Sequence, residues 1–251
     1  MTHNGNFQQS SIPINNTKLV LIALSGPSSS GKSTTAKALH KLFKGSKVVH
    51  LDDFYFPDDE IPVDPKTNEQ NWDCSDAIDF EKFADYINGL KSNKTSTAQI
   101  DSLEDEADLQ LSREEINHFS YVINSYKHVL NDKVIVFVDG FMLYHDDKIS
   151  SLFDIRLFFH AKYETLKTRR ESRAGYNTVG GFWVDPPEYF SRMVWPEYIK
   201  SHRHLFEKED VNLKLNSHAK DDLELYDIQN EDLSLHDLID LPLKIILDKL
   251  E

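Results

Sequence analysis

Short apolar runs alternate with amphipathic stretches along most of this chain. Runs rich in β-branched and aromatic residues predict strands over Leu19–Leu24, Lys47–Leu51, Val134–Val138 and Ile155–Phe159, with a fifth, weaker candidate over Val211–Leu215. Between them, apolar positions recur at helical spacing after Lys32, from Asp79 to Leu90, from Ser112 to Leu130, from Tyr163 to Arg173 and from Leu235 to Leu250. Ser112-Arg113-Glu114-Glu115 has the form of a capping box and would open the third helix. The alternation predicts an α/β fold of βαβ units, a three-layer αβα sandwich around a mostly parallel sheet. No repeat or linker divides the chain, so residues 18–251 read as one domain behind a polar tail, residues 1–17, expected to be disordered. Two stretches break the pattern. Residues 91–110 are polar and acidic in their second half, and are expected to form a mobile insertion. Residues 174–187 hold three glycines and two prolines and are expected to form a lid-associated loop.

The first strand and first helix are joined by Gly26-Pro27-Ser28-Ser29-Ser30-Gly31-Lys32-Ser33, followed by Thr34. This is the G-x-x-x-x-G-K-[ST] spacing in the strand–loop–helix setting it requires. Backbone N–H groups of such a loop converge on phosphate oxygens. Lys32 would reach the β- and γ-phosphates, and the Ser33 hydroxyl would hold Mg²⁺.

Ligands of open α/β sheets bind beyond the carboxyl ends of the strands, so acidic residues there come next. Asp52 and Asp53 follow the second strand, and Asp139-Gly140 follows the third. Asp139 has the setting of a carboxylate that holds Mg²⁺ directly or through water. Such groups also cap loops without any catalytic role; the neighbouring phosphate loop favours function. Arg169, Arg170 and Arg173 crowd one predicted helix end beside glycines. One face of that helix could meet ATP phosphates while the other points to the acceptor. Asn71-Trp72-Asp73-Cys74 is a polar loop in which an indole stands next to a carboxylate, and Tyr176 lies in the glycine-rich stretch. Trp72 could stack on a ligand ring or anchor the core, and residue type alone leaves both readings standing.

Composition narrows the partners. The 251 residues carry a formal net charge of −14, which disfavours general nucleic-acid binding and attraction to an anionic membrane. Cys74 is the one cysteine, which rules out an intrachain disulfide and suits a reducing compartment. The polar start lacks the apolar core of a secretory signal, so the expected location is the cytoplasm, with nuclear access left open. A monomer or weak homodimer acting on small molecules is expected.

Several segments together resemble the nicotinamide riboside kinases, in particular their fungal branch, within the uridine kinase-like P-loop kinases. They are the phosphate loop, Asp52-Asp53-Phe54-Tyr55, Pro62-Val63-Asp64 with Gln70-Asn71-Trp72-Asp73, Val138-Asp139-Gly140-Phe141-Met142, Arg169-Arg170-Glu171-Ser172-Arg173, and Phe182-Trp183-Val184-Asp185-Pro186-Pro187-Glu188-Tyr189-Phe190. The likeness runs from about residue 18 to about residue 206 and fades beyond it.

The resemblance implies a P-loop kinase fold with a helical lid, ATP as phosphoryl donor and Mg²⁺ as cofactor. It implies that Asp52 takes the proton of a ribose 5′-hydroxyl and that Lys32 serves catalysis. Gly26, Ser28, Ser29, Ser30, Gly31, Lys32, Ser33 and Thr34 would bind ATP with Arg169 and Arg173, and Ser33 and Asp139 would hold the metal. Asp73 and Arg170 would bind the ribose 2′- and 3′-hydroxyls, and Trp72 and Tyr176 would sandwich the pyridine ring. The chemistry agrees: the pyridinium cation of the riboside is attracted to an indole face by about 0.5–2 kcal/mol. Two alternatives stay open. One is a uridine or cytidine kinase. The other is a nucleotide-switch NTPase, although the nearest guanine-reading match, Asn93-Lys94-Thr95-Ser96, lacks its Asp.

Overall fold

The computed structural model describes residues 17–92, 111–178 and 181–251. The expected tail and nearly all of the expected 91–110 insertion therefore lie outside the described residues. Five strands form one parallel sheet: β1 (Lys18–Ser25), β2 (Lys47–His50), β3 (Lys133–Gly140), β4 (Ile155–His160) and β7 (Leu225–Gln229), in the order β2-β3-β1-β4-β7. Alternate residues of each strand enter opposite layers. Leu21, Ala23, Val49, Val136 and Val138 pack on one side, Val20, Ile22, Leu24, Ile135 and Phe137 on the other. The second side is covered by α1 (Lys32–Leu42), α3 (Arg113–Ser125) and α8 (Leu235–Leu250), and the first by α2 (Phe80–Lys91) and α7 (Trp195–His202). The expected αβα sandwich is thus present, with both sheet faces buried as parallel strands require.

Local signals account for the element ends. Ser112 and Glu115 exchange the two hydrogen bonds of the capping box at the start of α3. Asp79 caps α2 through the Lys82 N–H, and Ser234 caps α8 through the Asp237 N–H. The helix expected to run to Leu130 breaks at Tyr126, leaving the short α4 (Lys127–Leu130). Another four-residue helix, α5 (Asp147–Ser150), precedes β4. Pro242 lies inside α8 and has no N–H for the Leu238 carbonyl four residues back. The Thr35 hydroxyl of α1 approaches that carbonyl at 3.4 Å while bonding Gly31 O at 3.0 Å, which ties α8 to the helix behind the phosphate loop.

Three expectations are corrected. Val211–Leu215 alternates in residue type, but it buries only Val211 and Leu215 and is a loop with a single bridge, Leu215 to Phe206; Leu225–Gln229 takes the sheet edge instead. The helix α6 (Tyr163–Glu171) stops before Arg173, because Ser172 caps it. The stretch expected as irregular carries β5 (Tyr176–Thr178) paired antiparallel with β6 (Gly181–Trp183). A π-turn over Phe190–Val194 then runs into α7, where Pro196 disguises the helix in sequence. No helix among the described residues is long and apolar enough to cross a membrane.

Candidate active site

The parallel register sets the site. β1 lies between β3 and β4, and Leu24 of β1 and His50 of β2 stand level with Asp139 of β3. Three strand ends therefore deliver the phosphate loop, Asp52 and Asp139 to one edge of the sheet, where the strand order reverses. Gly26, at φ 139°, passes so close to β4 that a Cβ there would sit 1.9 Å from the Phe159 carbonyl oxygen. Only glycine fits that approach. Ser29 adopts a left-handed φ of 66°, and Gly31 precedes the first turn of α1. The Ser29 and Ser30 hydroxyls are buried without a protein partner, as expected of a cradle shaped for an anion. Lys32 folds over the loop, its Nζ 3.4 Å from Pro27 O.

Asp139 is buried, yet its carboxyl is held below the ordinary range. Burial alone would raise it; a hydrogen bond from His50, the charge of Lys32 and a hydrogen bond from Ser33 outweigh that. His50 Nδ1 lies 3.3 Å from Oδ2, while Oδ1 has no protein partner. An ionised, half-satisfied buried carboxylate beside a serine hydroxyl is an oxygen donor set that fits Mg²⁺.

A cleft of about 200 Å³ opens above these groups. Ser28, Lys32, Ser33, Asp52 and Asp139 line its phosphate-loop side, and Trp72, Asp73, Arg170, Arg173 and Tyr176 line the other. Arg170 is buried and bridges two carboxylates. Its Nη1 and Nη2 donate to Asp73 at 3.0 and 3.3 Å, and its Nε and Nη2 donate to Asp185 at 2.7 and 3.1 Å. Burial raises the Asp73 carboxyl, against the pull of Arg170 and, more weakly, of Lys32. Trp72 is both wall and anchor. It lines the cleft while packing on Ile61, Cys74 and Ala77, with its ring edge-on to Tyr55 at 5.3 Å and tilted against Trp183 at 5.9 Å. The Tyr176 ring carries the Arg170 guanidinium at 4.8 Å and that of Arg173 at 5.5 Å. Gly175, at φ 148°, lets Tyr176 turn in, since a Cβ there would meet Phe182 and the Trp183 carbonyl at 2.5 Å.

The three arginines diverge. Arg170 and Arg173 face the cleft, whereas Arg169 donates to the carbonyls of Asn230 and Glu231 at 2.9 and 3.1 Å. Asn230 in turn donates to Ser30 O at 2.8 Å, so Arg169 buttresses the loop that backs the phosphate cradle. Arg169 is not among the residues that line the cleft. Thr34 is half-buried on α1, outside the cleft lining. Sequence reasoning gave no role to Tyr55, Trp183, Asp185 or Asn230. The first three lie in segments quoted for the resemblance. Asn230 lies in the C-terminal third, where no motif signals it. Tyr55 lines the cleft with Asp52 and Asp73; burial drives its phenol well up, and the charges of the two carboxylates add to this.

The family model described as phosphoribulokinase / uridine kinase family matches residues 21–175. The nicotinamide riboside kinase of Schizosaccharomyces pombe is 38% identical over 201 residues, covering 79% of this chain and 85% of that protein. That of Saccharomyces cerevisiae is 41% identical over 198 residues, covering 77% and 82%. Nicotinamide riboside kinase 1 of Homo sapiens is 30% identical over 184 residues, covering 73% and 76%. A phosphate loop in one cleft with acidic and aromatic side chains is accordingly not an isolated likeness: the chain belongs to the phosphoribulokinase and uridine kinase family, in its nicotinamide riboside kinase branch.

Proposed function

We propose that this protein transfers the γ-phosphoryl group of ATP to the ribose 5′-hydroxyl of nicotinamide riboside, and also of nicotinic acid riboside, giving the mononucleotide used for NAD synthesis. The observation that carries this reading is one cleft with two chemically distinct walls. A phosphate loop and Asp52 line one side; Trp72, Asp73, Arg170 and Tyr176 line the other.

On this reading the loop amides and Lys32 hold the triphosphate, and Arg173 adds positive charge from the opposite wall. Asp73 accepts from a ribose hydroxyl while Arg170 donates to one, a division that suits a vicinal diol. The aromatic rings of Trp72 and Tyr176 receive the pyridinium, whose charge the nearby carboxylates favour. Asp52 takes the 5′-hydroxyl proton as the oxygen attacks the γ-phosphorus, and the phosphorus–oxygen bond to ADP breaks. Ser33 and Asp139 would hold Mg²⁺, which would supply positive charge to neutralise the phosphates. Most of the rate enhancement then comes from positioning and charge stabilisation. The lone, buried Cys74 is compatible with a cytoplasmic enzyme, which we take to work as a monomer or weak homodimer.

A phosphorylation screen of the purified protein with MgATP over pyridine and pyrimidine nucleosides tests the assignment. The expected result is mononucleotide formation from nicotinamide riboside with a kcat/KM well above those for uridine and cytidine. A pyrimidine preference would move the protein to the uridine kinase reading. Nucleotide hydrolysis that no nucleoside accelerates would remove it from the kinases.

A further inference from the structure

On the helical layer behind the phosphate loop, three side chains that the kinase chemistry does not use converge. His236 and Asp240 are four residues apart on α8 and therefore share one face. His118 comes from α3, which packs against both α8 and α1. The ligand atoms of these three side chains all lie within 4.8 Å of one another. None of the three lines the cleft.

Their surroundings hold them in place. The rings of His118 and His236 are 5.5 Å apart at 39°. Phe119 stacks on His236 at 4.9 Å and 26°, and meets His118 edge-on at 5.3 Å. One phenyl thus packs against both imidazoles, of which His118 is exposed and His236 half-buried. Asp240 Oδ2 accepts from Lys244 at 2.6 Å, which anchors the carboxylate by one oxygen and leaves the other for a further partner. Glu115, one turn before His118 on α3, is also near enough to feel the charge of His236.

Two imidazole nitrogens and a carboxylate oxygen make up a three-ligand set used by borderline-soft divalent ions, with water completing a tetrahedron. Mg²⁺ prefers oxygen ligands throughout and would not select this site. We propose that His118, His236 and Asp240 form a second cation site, separate from the Mg²⁺ position, which takes Zn²⁺ and clamps α3 to α8. The clamp bears on the phosphate loop indirectly. Between the two α8 ligands lies Leu238, whose side chain stands over Gly31 so closely that a Cβ added there would meet it at 3.2 Å. An ion bound only by the folded chain raises its stability by mass action.

The test is calorimetric titration of the full chain with Zn²⁺ in excess Mg²⁺, paired with thermal melts. The expected result is a saturable site and a Tm increase of about 5–10 °C when Zn²⁺ stands at about 100 times its Kd. His118→Gln and His236→Gln should each weaken Zn²⁺ binding at least about tenfold and remove most of the Tm increase, by loss of a ligand. Both variants should keep their kcat with MgATP within about twofold, which also reports that they fold. The proposal is overturned if the wild-type protein shows neither heat nor Tm increase. It is equally overturned if both variants bind Zn²⁺ as the wild type does, since the ion would then sit at other ligands.

Discussion

Arg170 and Asp73 form a two-point ion pair in the wall of the cleft, at 3.0 and 3.3 Å, with both side chains more than nine-tenths buried. The pair alone would leave one guanidinium edge unused, and Asp185 occupies it. Each partner is thus held in place before any ligand arrives. That matters because aligned hydrogen-bonding groups need no reorganisation when the sugar binds.

Arg170→Lys keeps the charge but cannot serve both carboxylates with a planar fork. The riboside KM should rise at least about tenfold with the ATP KM nearly unchanged, a loss of about 1.4 kcal/mol. Arg170→Ala leaves the buried Asp73 carboxylate without its partner and should cost about 3–5 kcal/mol of stability, read by urea unfolding. A lysine variant with wild-type riboside KM would remove Arg170 from the sugar site.

Trp72 serves packing and ligand together, and its variants should separate the two. Trp72→Ala should raise the riboside KM about 2- to 30-fold, the range set by a lost cation–π contact. It should also lower Tm, because the indole supports Cys74, Ala77 and Ile61. Trp72→Phe should restore most of the Tm and part of the KM. Equal increases in the riboside and ATP KM values would place Trp72 outside the ring site.

Much of this was legible in the chain. The phosphate loop and the strand-end aspartates are local: a strand, a turn and a helix specify them, and the parallel register brings them together. The capping box at Ser112 is equally local and marks the start of α3. What the chain did not disclose depends on distant contacts. Arg169 and Arg170 are neighbours in sequence, yet one faces Asn230 and the other Asp73, and only the packing of α6 distinguishes them. Arg173 shares no helix face with Arg169, because α6 ends at Glu171. Val211–Leu215 alternates as an edge strand should, but the edge beside β4 was taken by Leu225–Gln229, which buries Leu225 and Ile228. Asn230 carries no motif because its side chain acts by a hydrogen bond to a loop 200 residues earlier, and its backbone carbonyl by accepting from Arg169.

Asp139→Asn removes the charge while preserving shape. The Mg²⁺ concentration for half-maximal activity should rise at least about tenfold, as for a weakened metal ligand. Chelation of Mg²⁺ should abolish turnover of the wild-type protein reversibly. An unchanged Mg²⁺ dependence in the variant would assign the metal elsewhere.

His202 gives the fold a pH dependence. Burial pushes its imidazole down to about 3, and Nδ1 lies 3.2 Å from the Tyr198 carbonyl while Nε2 has no protein partner. The unfolded chain takes up a proton at an ordinary pKa of about 6.5, and the folded chain does not. The stability contributed by the neutral ring is therefore complete above that pH and is lost as pH falls toward about 3. Unfolding free energy between pH 6 and pH 5 should fall by up to about 1.4 kcal/mol per unit from this residue. His202→Gln should flatten that slope when urea midpoints are compared across the range. An identical slope in the variant would assign the acid sensitivity to other groups.

The central claim is that Asp52 takes the proton of the sugar alcohol while the phosphate loop holds the donor. Single-turnover phosphoryl transfer to nicotinamide riboside by Asp52→Asn, measured together with ATP affinity, tests it most directly. The account predicts a rate reduced by about 10²- to 10⁴-fold, the usual contribution of a general base, with an ATP Kd within about twofold of wild type. An unchanged transfer rate in that variant would contradict it.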